Sequence, residues 1–182
     1  MRDKIEVNGR SYLWPKVPLV VVCIDGSEPD YIERAVENGL MPFTEKILSK
    51  GADLRVNSVI PSFTNPNNLS IVTGRPPSVH GISGNFFYDN ASDQEVMMND
   101  PSFLRAPTIF SAFEREGARI AVITAKDKLR KLLGHGLTFG KDSSICFSAE
   151  KANEISLQDN GYKDILEITG LDLPSVYSAD LS

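Results

Sequence analysis

The chain opens with short polar–apolar alternations and then turns to an unbroken apolar run. Ile5-Glu6-Val7 and Ser11-Tyr12-Leu13 flank Asn8-Gly9, a type I′ turn signal, and predict a hairpin within the first 18 residues. Leu19-Val20-Val21-Val22-Cys23-Ile24 has no polar position. That pattern predicts an interior parallel strand covered on both faces, with Cys23 buried inside it and Asp25 delivered at its end. Ser27-Glu28-Pro29-Asp30 reads as a helix start capped by Ser27. A helix over 30–38 then ends at Gly39, a second over 42–50 ends at Gly51, and a strand is expected over 54–60.

Farther along, a helix over 66–73 closes at Gly74, and Arg75-Pro76-Pro77 breaks the pattern into a loop that reaches Asn85. Residues 86–107 have no clear period and suit a hairpin or an irregular excursion. Regular alternation resumes with a helix over 108–116, a strand over 119–124, a helix over 126–133, a short strand over 145–147 and a short helix over 164–169. The tail stays unassigned. Strand–helix alternation predicts one α/β domain over 1–182, a mostly parallel sheet with helices on both faces. Ligands of such sheets bind beyond the carboxyl ends of the strands, which would place Asp25 and the Thr64 segment in one crevice.

Composition narrows the class. A length of 182 residues, 41% hydrophobic and 24% charged, describes a soluble globular chain large enough for a core. Its 19 Lys+Arg against 24 Asp+Glu give a net charge of -5, which argues against a nucleic-acid partner. Two cysteines make no disulfide framework, so a reduced, cytoplasmic setting is expected. The charged N-terminus shows no signal-peptide pattern, and the longest apolar run is far too short for a membrane partner.

The candidate chemistry centres on Pro61-Ser62-Phe63-Thr64-Asn65-Pro66-Asn67-Asn68. Asn65 precedes a proline and suits an N-cap, which would set the Thr64 hydroxyl just ahead of a helix's unpaired N–H groups and positive dipole end. That position favours an alkoxide and an adjacent phosphoryl group, and a divalent metal held by Asp25 and touching Thr64 would lower the hydroxyl pKa further. A capped turn with a spare threonine, and a turn aspartate, explain the same residues. Asn85 could donate its amide to a phosphoryl oxygen or simply serve a turn. Lys126 and Lys128, beyond the strand over 119–124, suit a carboxylate or phosphonate oxygen; solvated helix-start charge is the plainer reading. His80 fits a loop histidine bonded to backbone, and His135 has no usable partner spacing.

These segments, with Val22 to Pro29, His80 to Tyr88, Glu95 to Pro101, Thr124 to Leu129 and Ile145 to Lys151, resemble the phosphonoacetate hydrolases of the alkaline phosphatase superfamily, close to the nucleotide pyrophosphatase/phosphodiesterases. The resemblance implies an alkaline phosphatase-like fold and a two-zinc site. In it Thr64 is nucleophile and zinc contact, Asp25 a zinc ligand and Asn85 the phosphoryl-binding amide. Lys126 and Lys128 lie near the substrate carboxylate, Lys128 being favoured. Phosphonoacetate would be split to acetate and phosphate through a phosphothreonine. The chain departs from the family pattern in having only His80 and His135 and no Asp-His dipeptide. A zinc pair needs about three protein ligands per metal. The expectation is therefore an N-terminal half whose metal site is incomplete and which turns over poorly alone. Its partners would be a small phosphonate and a missing C-terminal half. A related metal-dependent phosphodiesterase or phosphatase, or an inactive fragment that binds or self-associates through an uncovered strand edge, are the alternatives.

Overall fold

The computed structural model describes residues 3–154 and 158–172. Its contacts divide into two units, residues 1–14 with 59–182, and residues 15–58.

In the first unit, strands β1 (Lys4–Val7) and β2 (Arg10–Leu13) pair antiparallel around Asn8 and Gly9, both at positive φ, as the turn signal requires. The period-two pattern of β1 buries Ile5 and Val7 and exposes Lys4 and Glu6. In the second unit lie helices α1 (Pro29–Glu37) and α2 (Pro42–Lys50), with Gly39 and Gly51 just past their ends. Both open on a proline, which loses nothing in a first turn. The cap of α1 is Glu28 rather than Ser27, without a side-chain hydrogen bond.

The first unit resumes with α3 (Thr64–Thr73), closed by Gly74 at φ 64°. A Cβ on Gly74 would also stand 2.0 Å from the Tyr12 hydroxyl, so side-chain size and backbone conformation both demand glycine there. Short α4 (Pro77–His80) follows, and the ambiguous stretch proves to be a hairpin, β3 (Phe86–Asp89) against β4 (Gln94–Met97), with a 3-10 turn at Pro101–Phe103. Helix α5 (Ile109–Arg115) is capped by Thr108, whose hydroxyl accepts from Ser111 N. Strand β5 (Ala121–Thr124), a 3-10 turn at Asp127–Leu129, α6 (Arg130–Leu133), β6 (Ile145–Ser148) and a last helix at Ile165–Thr169 complete it.

The core of this unit joins Leu69 and Val72 of α3, Ile82, Met98, Val122 of β5, Leu132 and Leu133 of α6, and Cys146 of β6. Phe87 and Phe103 meet edge to face at 5.3 Å against it. A satellite cluster packs Ile5 and Val7 on Ala112, with Trp14 stacked on Phe113 at 5.6 Å. The Asn8 amide ties the hairpin tip to the Thr73 and Pro107 carbonyls, both at 2.9 Å.

The α/β alternation is present, but the described residues show no mostly parallel sheet. Among the described residues there are three two-stranded sheets, and only β5–β6 is parallel. Residues 19–24 and 54–60 carry no regular secondary structure and no ladder partners among the described residues, and Cys23 is exposed rather than buried. The reason is physical: an apolar run becomes an interior strand only where neighbours bond both its edges and layers cover both its faces. Nothing among the described residues does this for either run.

Candidate active site

Helix α3 starts two residues earlier than its sequence suggests. Phe63 is the cap, and Thr64 and Asn65 belong to the first turn. Proline at the third helical position is harmless because its absent N–H would have no intrahelical partner. Asn65 is not a cap. Its side chain is 1% exposed, and its Nδ2 donates to the Met98 carbonyl at 3.0 Å. Asn67 Oδ1 accepts from Val59 N at 3.0 Å, and Asn68 Nδ2 donates back to the Thr64 carbonyl at 3.0 Å. The Asn-Pro-Asn-Asn sequence therefore fixes the helix mouth on three sides, and Thr64, half-buried, sits at that mouth.

Met98 carries the linkage onward, its N–H donating to the Asn85 carbonyl at 2.8 Å. Asn85 is thus joined to the first turn of α3 through Asn65 and Met98. Its side-chain Oδ1 is buried and has no hydrogen-bond partner. An unsatisfied buried acceptor costs about 1–3 kcal/mol, which points to an amide held in place for something other than stability. The Thr124 hydroxyl at the end of β5 is unsatisfied in the same way.

The turn after β5 is pinned by Asp127. Its Oδ1 accepts from Arg130 Nε at 2.6 Å and from Ser148 Oγ at 2.9 Å, while its N–H donates to Glu150 at 2.8 Å. Burial works against the Asp127 carboxylate, yet the bonds from Arg130 and Ser148 outweigh it and hold its pKa below the usual value. With the turn fixed, Lys128 reaches across to the β3 hairpin, its Nζ 5.8 Å from the centre of the Phe86 ring, beside Asn85. Lys126 precedes the turn and is exposed. Thr64, Asn85 and Lys128 all lie in one unit, on segments linked through Asn65, Met98 and Phe86. Asp25 is exposed and lies in the 15–58 unit.

His80 is fully buried and committed to structure. Its Nδ1 accepts from Ile82 N at 3.2 Å, and its Nε2 faces Ser70 Oγ at 3.0 Å and the Pro66 carbonyl. Burial keeps it neutral by lowering its pKa, against the raising effect of the bond to Pro66. His135 lines a cavity of about 300 Å³ with Arg105 and Arg115, which neither Thr64, Asn85 nor Lys128 lines. Among the described residues no group of three or more His, Cys, Asp or Glu could hold a metal ion. The donor set among the described residues does not fit a complete two-zinc site. The role of Asn65 and Asn67 was hidden in the sequence, where asparagine beside proline signals a turn and not a pair of long-range braces.

The model of the type I phosphodiesterase / nucleotide pyrophosphatase family matches residues 19–134. A pyrophosphatase/phosphodiesterase of Schizosaccharomyces pombe is 32% identical over 114 residues, 57% of this chain and 22% of that protein. An ectonucleotide pyrophosphatase/phosphodiesterase of Caenorhabditis elegans is 34% identical over 102 residues, 54% of this chain and 13% of its own. The crystal structure of phosphonoacetate hydrolase from Sinorhizobium meliloti 1021 with phosphonoformate is 54% identical at a TM-score of 0.90, covering 100% of this chain and 44% of that one. The complex of that enzyme with phosphonoacetate matches at 53% and the same TM-score. The chain thus spans less than half the length of its solved and curated relatives. With the family model matching well over half of its residues, the chain belongs to the type I phosphodiesterase / nucleotide pyrophosphatase family.

Proposed function

We propose that this chain carries the nucleophile and the phosphonate-binding part of a hydrolase that splits phosphonoacetate into acetate and phosphate. One observation supports the reading. Hydrogen bonds from Asn65 to Met98 and from Met98 to Asn85, with Lys128 over Phe86, link the segments that carry Thr64, Asn85 and Lys128 in a chain 54% identical to a phosphonoacetate hydrolase.

Thr64 Oγ bonds to phosphorus as the carbon–phosphorus bond breaks, and the bonding pair leaves with the CH2 group as an acetate carbanion, drawn into its enolate. Lys128 holds the carboxylate where that charge accumulates, Asn85 donates its amide to a phosphoryl oxygen, and Lys126 adds positive charge at the rim. The proton released by the Thr64 hydroxyl on attack balances the one that the carbanion takes up to become acetate, and water then cleaves the phosphothreonine to release phosphate and restore the hydroxyl. The resemblance assigns two zinc ions, with Asp25 and Thr64 among their contacts. Those two side chains are a fraction of the ligands required, so no step is drawn through a metal and the chain by itself is read as inactive.

A chimera with these 182 residues in place of the matched part of the S. meliloti enzyme tests the reading. It releases phosphate from phosphonoacetate. Thr64→Ala lowers kcat by at least about 1,000-fold. Lys128→Met raises KM for phosphonoacetate by roughly 10-fold or more while sparing a phosphodiester that carries no carboxylate. A folded chimera that cleaves only the diester, or one that keeps its rate without Thr64, overturns the assignment; the first outcome would make it a phosphodiesterase.

A further inference from the structure

The segment before α5, the body of α5 and the loop after α6 meet at one cavity of about 300 Å³. Arg105, Arg115 and His135 line it with Ser111 and Gly136, and no aspartate or glutamate does. The volume lies at the lower end of the range for small-molecule sites. None of these residues takes part in the reaction proposed above.

Two glycines bring the walls together. Arg105 donates its N–H to the His80 carbonyl at 2.9 Å, and its stem lies across Gly81, where a Cβ would stand 3.0 and 3.1 Å from Arg105 Cγ and Cδ. Gly136 passes so close to α5 that a Cβ would stand 3.1 Å from that of Ser111. Both glycines have a positive φ, 89° and 80°, a conformation that glycine adopts without steric cost. The Ser111 hydroxyl donates to the Thr108 carbonyl at 3.0 Å, so it bounds the cavity rather than adding a free donor.

Charge decides what this cavity holds. Among the described residues, neither the two guanidinium groups nor the His135 ring has a hydrogen bond or an ion pair. Arg115 also borders a second hollow that holds Lys4, Glu6 and Glu116, and it pairs with neither carboxylate. Its place in the last turn of α5 suits the helix dipole, which accounts for Arg115 but not for Arg105 or His135, carried by other segments. On a chain of net charge -5, a concavity lined by cations alone draws anions toward itself. A guanidinium offers a planar fork of N–H donors that matches two phosphate oxygens at once, and two forks match a dianion.

We propose that this cavity binds a small phosphate dianion, either inorganic phosphate or a phosphate monoester, through Arg105 and Arg115, with the His135 ring as a third donor.

Calorimetry and amide NMR on the 182-residue chain test this, with inorganic phosphate and glycerol 3-phosphate as probes. Phosphate is expected to bind once per chain and to shift the amide signals of Ala106, Ser111 and Gly136. Tighter binding of glycerol 3-phosphate would mark a monoester site, and weaker binding a site for the free anion. Arg105→Gln with Arg115→Gln weakens binding by at least about 10-fold, and each single change by at least about 3-fold. Lys128→Met leaves it as it was. Unaltered signals from β5 and β6 in the arginine variants separate lost binding from lost folding. Four results would each overturn the proposal. They are no saturable binding of either probe below about 10 mM, arginine variants that bind like the parent, succinate bound as tightly as phosphate, or binding that is lost with Lys128 and kept without the arginines. The readout needs no turnover, and the lysine of the proposed reaction is its control, so the two proposals fail separately.

Discussion

At the scale of single residues, the two histidines and two cysteines show how position decides chemistry. His80 accepts a backbone N–H at Nδ1, a bond that its protonated form could not make. Its pKa lies below the ordinary value of 6.5 because burial disfavours the cation. The unfolded chain therefore binds the proton first as pH falls, and this stability is complete above the unfolded pKa and is lost below it. Urea midpoints should decline from about pH 7 to pH 5, before the carboxylates titrate, and His80→Gln should flatten that decline. Cys146 is 1% exposed, and burial raises its thiol pKa to about 11, whereas Cys23 is exposed. A thiolate-selective reagent should modify Cys23 in the native protein and reach Cys146 only in denaturant; rapid native labelling of Cys146 would contradict its placement.

Elements here are held as much by side-chain amides as by ladders. The outer edge of β6 shows this: Asn160 Oδ1 accepts from Cys146 N at 2.6 Å and its Nδ2 donates to Cys146 O at 2.7 Å. One buried side chain thus satisfies both groups that a further strand would have bonded. Asn160→Ala strands that N–H and C=O, and equilibrium unfolding should show a loss of about 2 kcal/mol with the denaturant slope unchanged. A loss below ~0.5 kcal/mol would mean that water replaces the amide. The start of α3 follows the same logic, since Asn65 and Asn67 brace it through Met98 and Val59.

For the whole molecule, the contrast between the units governs behaviour. The unit holding Thr64, Asn85 and Lys128 has a continuous core, so the geometry of those three residues should survive in the isolated chain. The unit holding Asp25 has no buried residue. Turnover is accordingly tested in the chimera, and anion binding in the 182-residue chain itself.

Much was legible without coordinates. The hairpin at Asn8-Gly9, the helix ends at Gly39, Gly51, Gly74 and Gly117, and the Thr108 cap are local rules in which a residue's own backbone preference settles the outcome. The choice of Thr64, Asn85 and Lys128 as candidates came from motifs, because those residue types at strand and helix ends fit phosphoryl chemistry. Tertiary structure alone decided that Asn65 faces inward to Met98, that Lys128 turns toward Phe86, and that residues 19–24 have no ladder partner among the described residues. Each of these depends on what lies far away in the chain, and a hydrophobic pattern records the need for a neighbour without supplying one.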